Sequence, residues 1–258
     1  MPTPPLTVWR EREDRLLRIR LARPKANVIN EEMIEALSEA FADAHARATP
    51  AIRAVLLSAE GPHFSFGASV EEHLPETCAA MLSSLHALVL RMLEYPVPVL
   101  VAVRGQCLGG GLEVALSGHL LFAAPGASLG QPEIVLGVFA PAASCLLPER
   151  VGMAAAEDLL LSGRSIDGNE ALRLGLVHAI ADDPEAAALA YFDEHLAKRS
   201  ASSLSFAVRA ARAGLVERVR AKLAAVEELY LTGLMRTRDA TEGLTAFLEK
   251  RPAQWEDR

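Results

Sequence analysis

Runs of apolar residues and regularly spaced apolar positions divide the chain into short strands and amphipathic helices. Residues Val99–Val103 form a continuous apolar run, which is typical of a strand buried on both faces. A similar run at 54–58 predicts a second buried strand, whereas apolar residues recur at helical spacing from Met33 to Phe41. Asn30 directly precedes this helical pattern and is a candidate N-cap.

The same patterns extend over the rest of the chain, and strand, strand, helix is the recurring unit. We expect further strands at 6–10, 16–21 and 119–124, a second amphipathic helix around 82–92, and a loop at 128–133. From about Asp183 the chain reads as helical throughout, and we expect this tail to pack on a neighbouring subunit. No long linker or fixed-period repeat interrupts the pattern. The sequence therefore predicts an α/β protein.

A glycine-rich turn follows the buried strand at 99–103. Gly105 ends the strand, and Gly109–Gly111 lead into a helical segment that contains Glu113. Glycine lets another molecule approach the backbone closely, and the free N–H groups at the start of a helix favour a negatively charged oxygen. A carboxylate beside such a site suits proton transfer next to a carbonyl group. Packing alone could also explain the turn, so it leaves both interpretations open.

Composition and charge narrow the classes of function. With 258 residues, of which 51% are apolar, the chain can form one large, well-buried core. A net charge of −7 argues against a nucleic-acid partner. The three cysteines lack metal-ligand spacing, so we expect neither a disulfide framework nor a metal. The chain shows no apolar run of membrane-spanning length and no secretory signal, so we expect a cytoplasmic protein without a membrane partner.

Six segments, taken together, carry a resemblance to a known family. They are 23–27, 64–68, 105–113, 130–133, 165–177 and 247–251, and they occur in the family's order along nearly the whole chain. The chain resembles the crotonase family, the enoyl-CoA hydratases and isomerases. This resemblance implies a spiral of strand–strand–helix repeats at 1–195, which would carry the CoA and acyl site, and a C-terminal helical trimerisation region at 196–258.

The resemblance also implies roles for individual residues. It implies two catalytic carboxylates, Glu113 and Glu133, and an oxyanion hole formed by the N–H groups of Ala68 and Gly110. The positions that match CoA contacts are Arg23, Lys25, Ala26, Phe247 and Lys250. The implied partners are an acyl-CoA substrate and further copies of the chain, in a homotrimer or a dimer of trimers. No separate cofactor is expected, because coenzyme A is part of the substrate.

Two short segments point to a cyclic substrate within the family. Residues 25–29 and 136–144 look most like those of hydratases that act on cyclohexa-1,5-diene-1-carbonyl-CoA in the anaerobic degradation of benzoyl-CoA. Ordinary enoyl-CoA hydratases have a glycine-rich run where this chain has Ala140–Ser144, and they commonly have Asp where it has Ser69. Both departures fall near the implied acyl pocket. They fit an altered pocket better than the usual straight-chain one.

Three alternatives remain open at this level. The chain could be a general enoyl-CoA hydratase or isomerase with fatty-acid-type substrates, or a CoA-binding protein of the same fold without turnover. A hydrolase that uses Cys107 or Ser117 as nucleophile is the third. No motif arranges a Ser/His/Asp set here, and we expect Cys107 to fill space in the core and His119 to be a hydrogen-bonded core residue.

Overall fold

The computed structural model describes residues 4–46 and 52–258. Residues 1–3, the start of the N-terminal segment in which we expect no secretory signal, lie outside these ranges. The strands are β1 (Leu6–Glu11), β2 (Leu16–Leu21), β3 (Ala54–Ala59), β4 (Val99–Val103), β5 (Gln106–Leu108), β6 (Leu120–Ala123), β7 (Ser128–Gly130), β8 (Ser165–Asp167) and β9 (Ala179–Ile180). The α-helices are α1 (Glu31–Ala46), α2 (Cys78–Leu93), α3 (Gly110–Ser117), α4 (Pro141–Val151), α5 (Met153–Ser162), α6 (Gly168–Arg173), α7 (Pro184–Tyr191), α8 (Ala201–Ala211), α9 (Leu215–Glu228) and α10 (Arg238–Leu248).

Two sheets organise these elements. The larger sheet has the order β1-β2-β3-β4-β6-β9, in which β1 and β2 are antiparallel and all later neighbours are parallel. The smaller sheet has the order β5-β7-β8. From β4 to β7 successive strands alternate between the sheets, since β4 is followed by β5 and β6 by β7. This alternation is the predicted spiral, and the α/β class is confirmed.

The core lies around β4, as its sequence predicts. All five residues of this strand are buried, and Val101 pairs with Leu57 of β3 on one side and Leu121 of β6 on the other. The predicted cap of α1 is also present, because the Asn30 side chain accepts a hydrogen bond from the Met33 N–H (3.1 Å).

Three details of the sequence interpretation were wrong. The glycine-rich turn does not lead directly from β4 into α3, since β5 lies between them and pairs with β7. The segment 128–133 is not simply a loop, because it contains β7 and enters a 3₁₀ turn at Pro132–Leu136. The strand predicted at 119–124 is two residues shorter, at Leu120–Ala123. Strands of three or four residues pair through backbone atoms that apolar patterning does not report.

Two arginines, the buried Arg212 and the half-buried Arg150, hold the C-terminal end of α3. Arg212 donates to the carbonyl groups of Leu93 and Ser117, each at 3.1 Å, and also to that of Gly118. Arg150 donates to the carbonyl of Leu116 at 2.6 Å. The last carbonyl groups of a helix have no partner within the helix and favour cations. Both arginines therefore fix the position of α3, whose opposite end faces the candidate site.

The tail is helical from α7 to α10, as predicted, whereas residues 251–258 are not helical. Its last helix packs back on the same chain. Gly243 of α10 lies directly against the carbonyl of Leu136, at the end of the 3₁₀ turn at 132–136. The division at residue 195 remains a prediction. None of the helices in the described ranges is long and apolar enough to span a membrane.

Candidate active site

The loop at 64–69 lies against the first turn of α3, and hydrogen bonds fix its path. The Ser65 N–H donates to the carbonyl of Gln106 (3.0 Å), and the Ser65 carbonyl accepts from the Leu108 N–H (3.1 Å). The Ser65 hydroxyl accepts from the Gly67 N–H (3.0 Å) and donates to the Asn27 carbonyl (2.7 Å). The loop is therefore held between β5 and the segment at 23–27.

This path brings the backbone of Ala68 beside the first residue of α3, Gly110. A Cβ placed on Gly110 would lie 3.1 Å from the Ala68 nitrogen and 2.9 Å from its Cβ. The Gly110 N–H has no acceptor within its helix, and among the described hydrogen bonds none is donated by the Ala68 N–H. Two unengaged donors at the positive end of a helix can bind an oxygen that gains negative charge.

Glu113 projects from the first turn of α3 toward the start of α4. It is only 3% exposed, and its Oε1 accepts a hydrogen bond from the Ala143 N–H at 2.8 Å. Burial raises the pKa of Glu113, while the backbone N–H groups of Ala143 and Ala142 oppose this by stabilising the carboxylate. The helix begins here because Pro141 suits the first helical position. Glu113 thus has donors aimed at its charged form.

Glu133 lies in the 3₁₀ turn that follows β7. It is next to the start of α3, since a Cβ on Gly109 would come 2.6 Å from its Oε1. The buried side chain of Gln131 lies on the carboxyl, and its amide can turn its NH₂ group toward the two oxygens, at 3.1 and 3.0 Å. Burial raises the pKa of Glu133, and the negative charge of Glu113 raises it further.

The two carboxyl groups therefore lie in the same site, but different hydrogen-bond donors face them. The charge on Glu113 opposes ionisation of Glu133, so a state with one proton on the pair is favoured over the doubly charged state. Backbone N–H groups stabilise the charge on Glu113, which leaves the proton on Glu133. A base and an acid in one site, beside two oxyanion donors, can move protons around an activated carbonyl compound.

The segment at 23–27, which is implied to contact CoA, is hydrogen-bonded directly to the loop at 64–69. The carbonyl of Ala26 accepts a hydrogen bond from the Phe66 N–H at 2.9 Å. Lys25 is exposed and, within the described ranges, has no ion-pair partner, whereas Arg23 is paired with Glu32. Lys25 is therefore the freer of the two cations.

The two C-terminal residues implied to contact CoA are exposed, and they lie on elements other than those that carry the two carboxyls. Phe247 is 53% exposed near the end of α10, and Lys250 lies two residues after this helix with a positive φ of 55°. The contacts described within this chain do not join them to the segment at 23–27. Their role toward CoA remains a prediction.

Residues that could serve a hydrolase have structural partners instead. Cys107 is fully buried, and burial raises the pKa of its thiol, which leaves a poor nucleophile. The Ser117 hydroxyl donates to the Glu113 carbonyl within α3 (2.9 Å). His119 accepts the Val99 N–H (2.9 Å), as expected for a core residue, and burial together with Arg212 and Arg150 lowers its pKa to about 2. Over the described ranges, no group of His, Cys, Asp or Glu residues could hold a metal ion.

The sequence model of the enoyl-CoA hydratase/isomerase family matches residues 11–258, nearly the whole chain. The chain belongs to this family. The folds agree as well: an enoyl-CoA hydratase/isomerase from Pseudoalteromonas atlantica superposes with a TM-score of 0.85 at 30% identity, over 97% of this chain and 99% of that one.

Among family members, one curated relative is much more similar than general hydratases. Cyclohexa-1,5-dienecarbonyl-CoA hydratase of Thauera aromatica is 67% identical over 254 residues, which is 98% of each chain. A probable enoyl-CoA hydratase of Bacillus subtilis is 34% identical over 242 residues, 90% of this chain and 92% of that protein. The resemblance read from the sequence segments is confirmed.

Two contributors to the site were not assigned from the sequence. Gln131 was part of a matching segment, but its contact with the Glu133 carboxyl could not be read from its position. The Ala143 N–H was missed because a backbone donor leaves no signal in residue type. Its only trace was the segment Ala140–Ser144, whose proline begins α4.

Proposed function

We propose that this family member is a hydratase that adds water to cyclohexa-1,5-diene-1-carbonyl-CoA. The site supports it through one observation above all: the buried carboxyl of Glu113 and the half-buried Glu133 lie around the start of α3, where the Ala68 and Gly110 N–H groups are adjacent. The cyclic substrate is supported by the 67% identity to the Thauera aromatica enzyme. The product is 6-hydroxycyclohex-1-ene-1-carbonyl-CoA.

Proton movement follows from the environments of the two carboxyls. Ionised Glu113 takes a proton from water, whose oxygen bonds to the ring carbon β to the carbonyl group. The electron pair of the ring double bond between the α and β carbons moves toward the thioester oxygen, and a dienolate forms. Protonated Glu133 then delivers its proton to the far end of the dienolate, and the electron pair returns to the ring. One water is consumed, and both carboxyls have exchanged protonation states.

The oxyanion donors act on the charge that develops in this step. The thioester oxygen gains negative charge as the dienolate forms, and it would lie against the N–H groups of Ala68 and Gly110. One such donor contributes about 3–4 kcal/mol of transition-state stabilisation in other enzymes. Acid, base and oxyanion donors all come from the chain, so the reaction requires no cofactor beyond the CoA carried by the substrate.

Contacts to CoA and between subunits are part of the same proposal. Lys25, with Arg23 after release from Glu32, would contact the CoA phosphates, and the backbone at Ala26 would face the adenine. Phe247 and Lys250 would reach the nucleotide of a CoA held mainly by a neighbouring subunit. Assembly into a trimer or a dimer of trimers is supported by large apolar side chains exposed on the tail, among them Phe206 (67%) and Leu229 (60%).

A substrate comparison tests the proposed function. Purified protein is incubated with cyclohexa-1,5-diene-1-carbonyl-CoA in H₂¹⁸O, and products are followed by liquid chromatography and mass spectrometry. We expect one labelled oxygen in the hydroxylated product and a much lower kcat/KM with crotonyl-CoA. Turnover of crotonyl-CoA with none of the cyclic thioester would reject the cyclic substrate and leave general enoyl-CoA hydration. Binding of both thioesters without turnover of either would identify a CoA-binding protein.

A further inference from the structure

The hydroxyl group of Tyr230 is buried without a partner. Tyr230 is 0% exposed, and among the described residues no atom forms a hydrogen bond with its hydroxyl. Buried hydroxyl groups are nearly always hydrogen-bonded, since leaving one unpaired costs folding free energy. A protein that keeps such a group in its core needs another reason for it, and a ligand oxygen is one.

The backbone that carries Tyr230 is irregular at this residue. The regular part of α9 ends at Glu228, and Leu229–Gly233 continues it as a π-helical turn. Single π turns within helices are rare and occur frequently at functional sites, because they change the direction in which side chains point. The turn directs the Tyr230 ring against Phe139, edge to face at 5.2 Å between centroids.

This contact places Tyr230 next to the candidate active site. Phe139 lies two residues before Pro141, where the helix that donates to Glu113 begins. Burial raises the pKa of Tyr230, and repulsion from Cys78, Glu133 and Glu113 in their ionised forms raises it further. The hydroxyl therefore stays protonated and can donate a hydrogen bond.

We propose that Tyr230 is a further polar residue of the acyl site, and that its hydroxyl donates a hydrogen bond to the oxygen atom added to the substrate. This inference rests on the proposed hydration. The bond would orient the attacking water toward the β carbon while Glu113 takes the proton. In the product it would be made to the new hydroxyl group.

Binding of two ligands that differ by that hydroxyl tests the inference. The dissociation constants of 6-hydroxycyclohex-1-ene-1-carbonyl-CoA and of cyclohex-1-ene-1-carbonyl-CoA are measured by calorimetry for the wild type and for Tyr230→Phe. We expect the variant to bind the hydroxylated ligand about 5- to 10-fold more weakly and the other ligand equally well. Its kcat for hydration should fall more than its KM rises. Tyr95→Phe is the matched control, since Tyr95 is also buried and also packs edge to face on a phenylalanine, Phe41; it should change neither constant.

Stability separates a binding role from a structural one. If the hydroxyl is unpaired in the free protein, Tyr230→Phe should melt at the same temperature as the wild type or higher. An affinity of the variant for the hydroxylated ligand that equals the wild-type value, equal losses of affinity for both ligands, or a clearly lower melting temperature would each overturn the inference. If the wild type hydrates only crotonyl-CoA, the cyclic substrate has failed, and the same comparison is made with 3-hydroxybutyryl-CoA and butyryl-CoA. A selective loss there still supports Tyr230, and its absence overturns the inference.

Discussion

Replacing Gly110 with alanine tests the oxyanion site with a single added methyl group. The new Cβ would lie 2.9 Å from the Ala68 Cβ and 3.1 Å from its nitrogen. Carbon atoms in contact normally lie about 3.5–4.0 Å apart, so the two backbones must separate by about 0.6–1.1 Å. Displacements of about 1 Å at a reacting centre cost about 100-fold in rate. Losing one oxyanion donor costs about 100- to 1,000-fold.

We therefore expect Gly110→Ala to lower kcat for hydration by about 100- to 1,000-fold. Folding should change little, because Gly110 lacks a positive φ and alanine is favoured over glycine in a helix by about 0.5–1 kcal/mol, which partly offsets the clash. Affinity for coenzyme A itself should also be retained, since the oxyanion forms only during the reaction. Steady-state kinetics, thermal melting and calorimetry with coenzyme A measure the three quantities.

Gly126→Ala provides the control for adding a methyl group, because a Cβ there meets nothing within 4 Å. It should keep the wild-type kcat. A Gly110→Ala variant that is folded and retains kcat within about threefold of the wild type would refute the placement of the oxyanion at these two N–H groups. A variant that loses its fold would instead show that Gly110 is required for packing, and Ala68→Pro, which removes the other N–H group, would then test the site.

Three other predictions follow from the burial of charged groups. Glu113→Gln and Glu133→Gln should each lower kcat at least 100-fold while coenzyme A still binds by calorimetry; unchanged turnover in both contradicts the acid–base assignment. Burial raises the pKa of Glu133, so its contribution to stability is present below the ordinary pKa of glutamate, about 4.3, and lost as pH rises. The melting temperature of Glu133→Gln should therefore rise relative to that of the wild type between pH 5 and pH 8. A difference between the two melting temperatures that does not change with pH contradicts this. Arg212→Ala leaves the carbonyls of Leu93 and Ser117 unpaired and should lower the unfolding free energy in urea by about 3–5 kcal/mol; a loss below about 1 kcal/mol would show that water replaces the guanidinium.

The elements that the sequence predicted well are those whose side chains are uniformly buried. The five apolar residues of β4 leave no polar face, so their pattern alone places the strand at the centre of a parallel sheet. The cap at Asn30 was equally legible, because it depends on one side chain and the N–H three residues later. Both are local consequences of residue type.

The elements it missed depend on backbone pairing between distant segments. Strands β5 and β7 have three residues each and pair through their backbones, and the loop at 64–69 is held to β5 by backbone hydrogen bonds of Ser65. Family resemblance supplied the identities of Glu113 and Glu133, but their different environments come from Ala143 and Gln131. Both residues lie more than ten positions after the end of α3, the helix that carries Glu113. Tyr230 carried no signal, because a tyrosine that follows the apolar stripe of an amphipathic helix looks like a packing residue until its hydroxyl proves unpaired.

The donors around the two glutamates couple the two proton transfers of the proposed reaction. The Ala143 N–H favours the carboxylate of Glu113, and that charge raises the pKa of Glu133, which therefore keeps its proton. Once Glu113 has taken a proton from water, the charge is gone and the pKa of Glu133 falls. The NH₂ group of Gln131 can then stabilise the carboxylate that forms as Glu133 releases its proton. Proton uptake by one carboxyl thus favours proton release by the other, and this order suits an addition in which the dienolate must form before it is protonated.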